Sequence, residues 1–167
     1  MEQAEALPYQ LEFTLSASTT GRIFALTQQA NYFSGNFEDA AHRPGRRAIK
    51  TLSYGEGPAK RFGHVNSGVR NVAVYDYTHN MVILQLTSLF EELAQTVELG
   101  RRLDHLRRAN SLQLAGELHK ADVLAHQERL PDLEIIAESL RGVAEDPGLA
   151  PAARRQAQDL LTLARAS

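Results

Sequence analysis

The aromatic residues of this chain are confined to its first 90 positions. All five Tyr and all six Phe lie between Tyr9 and Phe90, and none occurs in the remainder of the 167 residues. Seven of the eleven Gly also precede residue 70. Aromatic residues and Gly are typical of sheets and turns, whereas tracts rich in Leu, Ala, Arg and Glu favour packed helices. The sequence therefore predicts an α+β half followed by a helical C-terminal half.

The predicted sheet is small and mainly antiparallel. Residues 9–16 alternate strictly between apolar and polar side chains, which is typical of a half-buried strand. The other predicted strands are rich in β-branched and aromatic residues or form short apolar runs. The four strands are expected at 9–16, 48–54, 71–77 and 81–87.

The stretch after Tyr77 has two possible structures. Thr78-His79-Asn80 contains turn-forming residues, so 71–77 and 81–87 are predicted to form a hairpin. A helix that starts at Asn80 is the alternative. The pattern Ser88-x-x-Glu91 is a capping box, which places a helix start at residue 88 and favours the hairpin.

Helices are predicted from apolar spacing and from capping residues. One helix is expected at 19–34, and the helix that begins at Ser88 is expected to end at Gly100. We divide the chain into an α+β core, residues 1–100, and a helical region, residues 101–167. That helical region would pack on the core or form an oligomer interface. Asn110, Pro131 and a Pro-Gly-rich segment punctuate its helices, which are expected near 101–109, 111–129, 131–144 and 151–165.

Residues 40–70 form a basic, Gly-rich segment. It holds seven basic residues and one acidic residue, a net charge of +6, although the whole chain has a net charge of −2. Closely spaced Arg and Lys side chains can neutralise consecutive phosphates, and interleaved aromatic rings can stack on unpaired bases. An acidic protein face, or simple solvation of the charges, is the alternative. The predicted nucleic-acid-binding residues are Arg43, Arg46, Arg47, Lys50, Lys60, Arg61 and Arg70.

A small basic endoribonuclease is the second functional hypothesis. Lys60, Arg61 and His64, together with Tyr75, could move protons and stabilise charge on a phosphorane. The predicted order of a strand, a helix and three strands with basic residues near the sheet resembles the RelE/ParE-like toxins. The single helix before the sheet and the long helical C-terminal half depart from that family.

A protein-interaction adaptor, chaperone or inhibitor without affinity for nucleic acid is the third hypothesis. The Leu-rich stripes of the C-terminal helices could hold a homodimer or dock a protein partner. We expect binding rather than catalytic turnover to be the function.

The composition also bears on cofactors, metal sites and membrane association. The chain has no Cys, and Gly55-x-Gly57 lacks the rest of a dinucleotide fingerprint, so no cofactor and no metal site are expected. The acidic N-terminus does not resemble a signal peptide, and the longest apolar run has four residues. We therefore expect a cytoplasmic protein with no membrane partner.

Overall fold

The structure of the protein, a computed structural model, describes residues 12–35, 37, 48–55, 70–76, 78–109 and 111–166. A two-stranded antiparallel sheet is followed by a helical C-terminal half, which confirms the predicted α+β class. The elements in chain order are α1 (Ala17–Gln29), a 3-10 turn (Asn31–Phe33), β1 (Lys50–Tyr54), β2 (Arg70–Val74), α2 (Met81–Ala109), α3 (Ser111–His126), a second 3-10 turn (Leu133–Ile136), α4 (Ala137–Ala144) and α5 (Pro151–Ala166).

The two strands form one face that packs on the helices. Leu52 of β1 lies opposite Val72 of β2, and these two side chains are buried together with Val74. On the other face, the Ser53 hydroxyl donates to the Asn71 side-chain carbonyl at 2.7 Å. Strands therefore occur in both predicted segments, 48–54 and 71–77, but β2 ends at Val74 and pairs with β1, so the predicted hairpin of 71–77 with 81–87 is wrong.

The predicted strand at 81–87 is wrong, because this segment is the start of α2. The side-chain oxygen of Asn80 accepts hydrogen bonds from the backbone N–H groups of Val82 and Ile83, which caps the helix. The apolar run then continues a helical stripe in which Ile83 and Leu86 are buried. The capping-box pattern at Ser88 lies inside the same helix and does not mark a helix start.

The predicted strand at 9–16 is also wrong over its described part. Residues 12–16 form no strand, and residues 9–11 lie outside the described residues. Phe13 and Leu15 instead line a depression together with residues of α2. Leu15 packs on the apolar cluster, whereas Phe13 is 44% exposed. Ser16 ends this segment as the N-cap of α1, with its hydroxyl oxygen accepting from the Thr19 backbone N–H at 3.1 Å.

Gly100 does not end a helix, which corrects the third local prediction. It is buried in the middle of α2, where the side chain of Ile136 covers it. The predicted helix near 101–109 is the continuation of α2, while α3, α4 and α5 match the other helical predictions.

Two apolar clusters stabilise the described part of the chain. The first joins α1, both strands and the first half of α2, and the second joins the end of α2 to α3, α4 and α5. Thr96 of α2 connects this helix to the segment before α4, because its hydroxyl donates to the Pro131 carbonyl at 2.9 Å. α2 therefore belongs to both clusters and runs through the boundary predicted at residue 100.

Candidate functional site: a groove beside the first strand

A groove of about 510 Å³ lies between α1, β1 and the first half of α2. We call it the β1 groove. It is defined by Phe24 and Thr27 of α1, by Lys50–Tyr54 of β1 and by Leu86, Thr87, Phe90, Glu91 and Ala94 of α2.

The two-layer packing of the domain creates this groove. Residues of α1 and α2 pack with the buried face of the sheet in one apolar cluster, and other residues of the same helices line the groove beside β1. All five residues of β1 line the groove, and β2 is the one described strand that pairs with β1. The outer edge of β1 is therefore one wall of the groove, with no described strand beside it.

The helical wall of the groove is apolar and accessible to solvent. Phe24 is 58% exposed and Phe90 is 44% exposed. Phe90 also lines an adjoining depression of about 360 Å³, which contains Phe13 and Val97. Single exposed apolar residues are common, but contiguous apolar patches mark interaction sites in many proteins.

The hydroxyl groups in this wall are already satisfied. Thr27 donates to the carbonyl of Ile23, and Thr87 donates to the carbonyl of Ile83, both at 2.8 Å. These hydrogen bonds stay within α1 and α2 respectively. The helical wall therefore offers apolar contact, whereas the β1 wall offers backbone groups.

Acidic side chains border the groove on α2. Glu91 forms an ion pair with Lys50, so the charge of this predicted binding residue is balanced within the protein. Glu98 lies further along α2, beside the adjoining depression. A hydrogen bond from Arg101 lowers the pKa of the Glu98 carboxyl below its ordinary value.

The structure separates the two predicted binding residues that it describes. Lys50 and Arg70 lie at opposite ends of the strand pair, four residues apart along β1, or about 13 Å. Arg70 donates to the Tyr32 carbonyl at 3.2 Å, so it too has a partner within the protein. Arg43, Arg46, Arg47, Lys60, Arg61 and His64 lie outside the described residues.

Tyr75, the described member of the ribonuclease hypothesis, follows β2 directly. Its backbone N–H donates to the Thr78 hydroxyl at 2.9 Å, which fixes the turn before α2. The other residues of this hypothesis, Lys60, Arg61 and His64, lie outside the described residues, so the hypothesis stays a prediction. Within the described residues the element order also differs from the predicted one, because α1, β1 and β2 precede α2 and residues 81–87 are helical.

A left-handed turn closes one end of the β1 groove. Asn31, Tyr32 and Phe33 have φ angles of 47°, 50° and 58°, an unusual conformation for three consecutive residues other than Gly. The ring of Tyr54 packs against both Tyr32 and Phe33, with centroid distances of 5.3 and 6.5 Å. Together with the Arg70 hydrogen bond, these contacts hold the turn against the strand pair.

No group of three or more His, Asp or Glu side chains that could hold a metal ion occurs within the described ranges. The side chain of His126 contacts Asp122 on the same helix, with Nδ1 at 2.9 Å from the Asp122 carbonyl. None of the described helices is long and apolar enough to cross a membrane.

Comparisons of the chain with protein-family models, with curated proteins and with solved structures find no significant match. The function proposed below therefore rests on the geometry of the β1 groove.

Sequence reasoning missed the two phenylalanines of the groove. For Phe24 a signal exists, because at 100° per residue it lies about 160° around α1 from the buried Leu26. For Phe90 the spacing misleads. It follows Ile83 by seven residues and so lies on the same side of α2, yet Ile83 is buried and Phe90 is exposed. The exposure of Phe90 therefore depends on tertiary packing rather than on its spacing along α2.

Proposed function

We propose that the chain is a binding protein whose β1 groove takes an apolar segment of a protein partner. The observation that carries this proposal is the pair of exposed Phe side chains directly beside the outer edge of β1. Binding would remove the Phe side chains from water, while the strand edge would supply directional hydrogen bonds. This is the adaptor class among the three hypotheses.

Charge favours a polypeptide over a nucleic acid as the occupant of the groove. The charges that border the groove are paired within the protein, Lys50 with Glu91 and Arg101 with Glu98. Phosphates would therefore gain little attraction from the described groove residues. A neutral apolar segment needs no such attraction.

Phe90→Asp is expected to weaken the binding of such a segment at least tenfold. The substitution removes apolar contact worth about 1.5–3 kcal/mol when fully buried, and tenfold corresponds to about 1.4 kcal/mol. The probe is a displayed library of random peptides panned against the full chain, followed by affinity measurements on the most enriched peptide. Val123→Asp on α3 is the matched control, because Val123 is 42% exposed and lies outside the groove.

Enrichment on the unmodified chain and on Val123→Asp, with its loss on Phe90→Asp, supports the proposal. Equal enrichment on all three proteins, or none on the unmodified chain, contradicts it. Circular dichroism of each variant shows whether the fold is retained.

Nucleic-acid binding by the basic segment is the second candidate function. The net charge of +6 within residues 40–70 favours it. Because Lys50 and Arg70 have partners within the protein, phosphate contacts would come mainly from the other cations. Those cations are Arg43, Arg46, Arg47, Lys60 and Arg61.

Neutralising Arg46 and Arg47 together is expected to weaken RNA binding and to flatten its salt dependence. The log–log slope should fall by about one unit for each phosphate that the protein no longer neutralises. The measurement is a gel-shift titration with labelled single-stranded RNA over several salt concentrations. Lys50→Gln is the control, and it should change the slope little because Glu91 already balances Lys50.

An unchanged slope in the double variant would remove the basic segment as a nucleic-acid interface. The same gels test the ribonuclease hypothesis. Shortened RNA that disappears with His64→Ala would support that hypothesis, and intact RNA throughout would oppose it.

A further inference from the structure

We infer that the partner segment binds in an extended conformation, as a third strand on the outer edge of β1. This inference deepens the function proposed above and rests on it. It assigns the ligand class: a stretch of polypeptide backbone of about five residues with apolar side chains at alternate positions, matched to the five residues of β1.

The edge of β1 offers the hydrogen bonds for such an addition. In a β-strand, every second residue directs its N–H and C=O groups to the same side. β1 has five residues and one described partner strand, so its alternate backbone groups face the groove. Exposed strand edges of this kind accept extended peptides in many recognition domains. At about 3.3 Å per residue, the edge extends for about 17 Å.

The helices supply the surface on which one face of the added strand would lie. Lys50, Leu52 and Tyr54 alternate along β1 and share the face that packs towards the helices. The side chains of the added strand that share this face would lie above Phe24 and Phe90. Side chains on the other face would point to solvent. The ligand is therefore expected to need apolar residues at every second position.

A helical ligand fits this groove less well than an extended one. A helix satisfies its own backbone groups, so it would cover the β1 edge without pairing with it. Buried N–H and C=O groups that lose water and gain no partner are costly to bury. An extended segment avoids this cost because it forms the ladder itself.

A second copy of this chain fits less well than a free segment. Phe24 of α1 and Phe90 of α2 line the groove beside the β1 edge. In edge-to-edge pairing, a second copy would bring its own α1 and α2 to this edge and crowd those of the first copy. A segment without attached helices has no such overlap.

The test is alternate N-methylation of the most enriched library peptide. Methylating a backbone nitrogen removes its N–H donor and blocks the ladder on that side. Methylation at every second residue is expected to weaken binding at least tenfold (about 1.4 kcal/mol) in one register and only about threefold or less in the other. The bound peptide should also slow the hydrogen exchange of alternate amides in β1, whereas the amides of α3 remain unchanged.

The outcomes separate the inference from the function on which it rests. Phe90-dependent binding without the two-residue periodicity, or without protection of β1, would overturn strand addition and leave the proposed function standing. Binding that does not depend on Phe90 would overturn both. Light-scattering mass measurements that show a dimer broken by the peptide would also overturn the inference, because a second copy would then be the occupant.

Discussion

Replacing Gly100 by Ala is expected to destabilise the protein, whereas replacing Gly116 by Ala is expected to stabilise it. At Gly100, an added Cβ would lie 2.5 Å from Cγ2 and 3.1 Å from Cβ of Ile136. Both positions are in the interior of helices, where Ala is favoured over Gly by about 1 kcal/mol. Overpacking a buried site costs about 1–3 kcal/mol, and at Gly100 it should outweigh this gain.

The two substitutions differ in their surroundings alone, which makes them a matched pair. An added Cβ at Gly116 of α3 would meet open space, so the gain of about 0.5–1 kcal/mol is expected in full. Urea unfolding of both variants measures the two free energies. Stabilisation of the protein by Gly100→Ala would show that α2 and the 3-10 turn at Ile136 do not pack closely.

Asp132→Ala is expected to lower the free energy of unfolding by about 2.5–4 kcal/mol, because a hydrogen bond is lost and Ala is disfavoured in the left-handed conformation. Asp132 is buried, and its Oδ2 accepts from the Ser16 backbone N–H at 3.0 Å. This hydrogen bond connects the start of α1 to the segment before α4. A hydrogen bond to a charged group contributes about 1.5–3 kcal/mol. Asp132 also has a left-handed backbone conformation with φ of 57°, which disfavours Ala by about 1 kcal/mol.

Two further substitutions at the same position separate these causes. Asp132→Asn keeps a side-chain oxygen acceptor and tolerates the left-handed conformation, so it should lose about 1 kcal/mol or less. Asp132→Gly relieves the backbone strain but has no acceptor, so it should fall between Asn and Ala. Equal stability for Ala and Asn would show that the Ser16 hydrogen bond contributes nothing.

The division into a mixed half and a helical half could be predicted from the sequence. The confinement of aromatic residues before residue 91 reflects their use in the sheet and in the cluster around it, where Phe33 and Tyr54 meet. The strands at β1 and β2 were also predictable, because β-branched residues occupy both. Local composition was sufficient for these elements.

The errors arose where two local patterns competed. Residues 81–87 are apolar enough for a strand, and the capping box at Ser88 suggested a later helix start. Asn80 supplies the actual cap, and packing of Ile83 and Leu86 against the sheet stabilises the earlier start. Residues 12–16 show the converse case. They alternate like a strand, but Phe13 and Leu15 line a depression with residues of α2 and the segment forms no strand. Tertiary contacts decided both cases.

The candidate site could not be predicted because it depends on which side chains of α1 and α2 remain exposed after the chain has folded. Large apolar side chains such as Phe90 are mostly buried in folded proteins, and its spacing from Ile83 points the same way. Its exposure is a property of the tertiary packing, since Phe90 lies in the groove beside β1 rather than under the described strands. The charge of residues 40–70 is visible in the sequence, but it does not indicate this face. Its role in binding nucleic acid remains a prediction.

The central claim is that the β1 groove is the binding site for a polypeptide segment. The most direct test is a two-dimensional NMR titration of the ¹⁵N-labelled full chain with the most enriched library peptide. We predict that the largest shift changes occur at the amides of β1 and around Phe24 and Phe90, with saturation at one peptide per chain. Shift changes confined to α3, α4 and α5, or to residues 40–47 and 56–69, would contradict the claim.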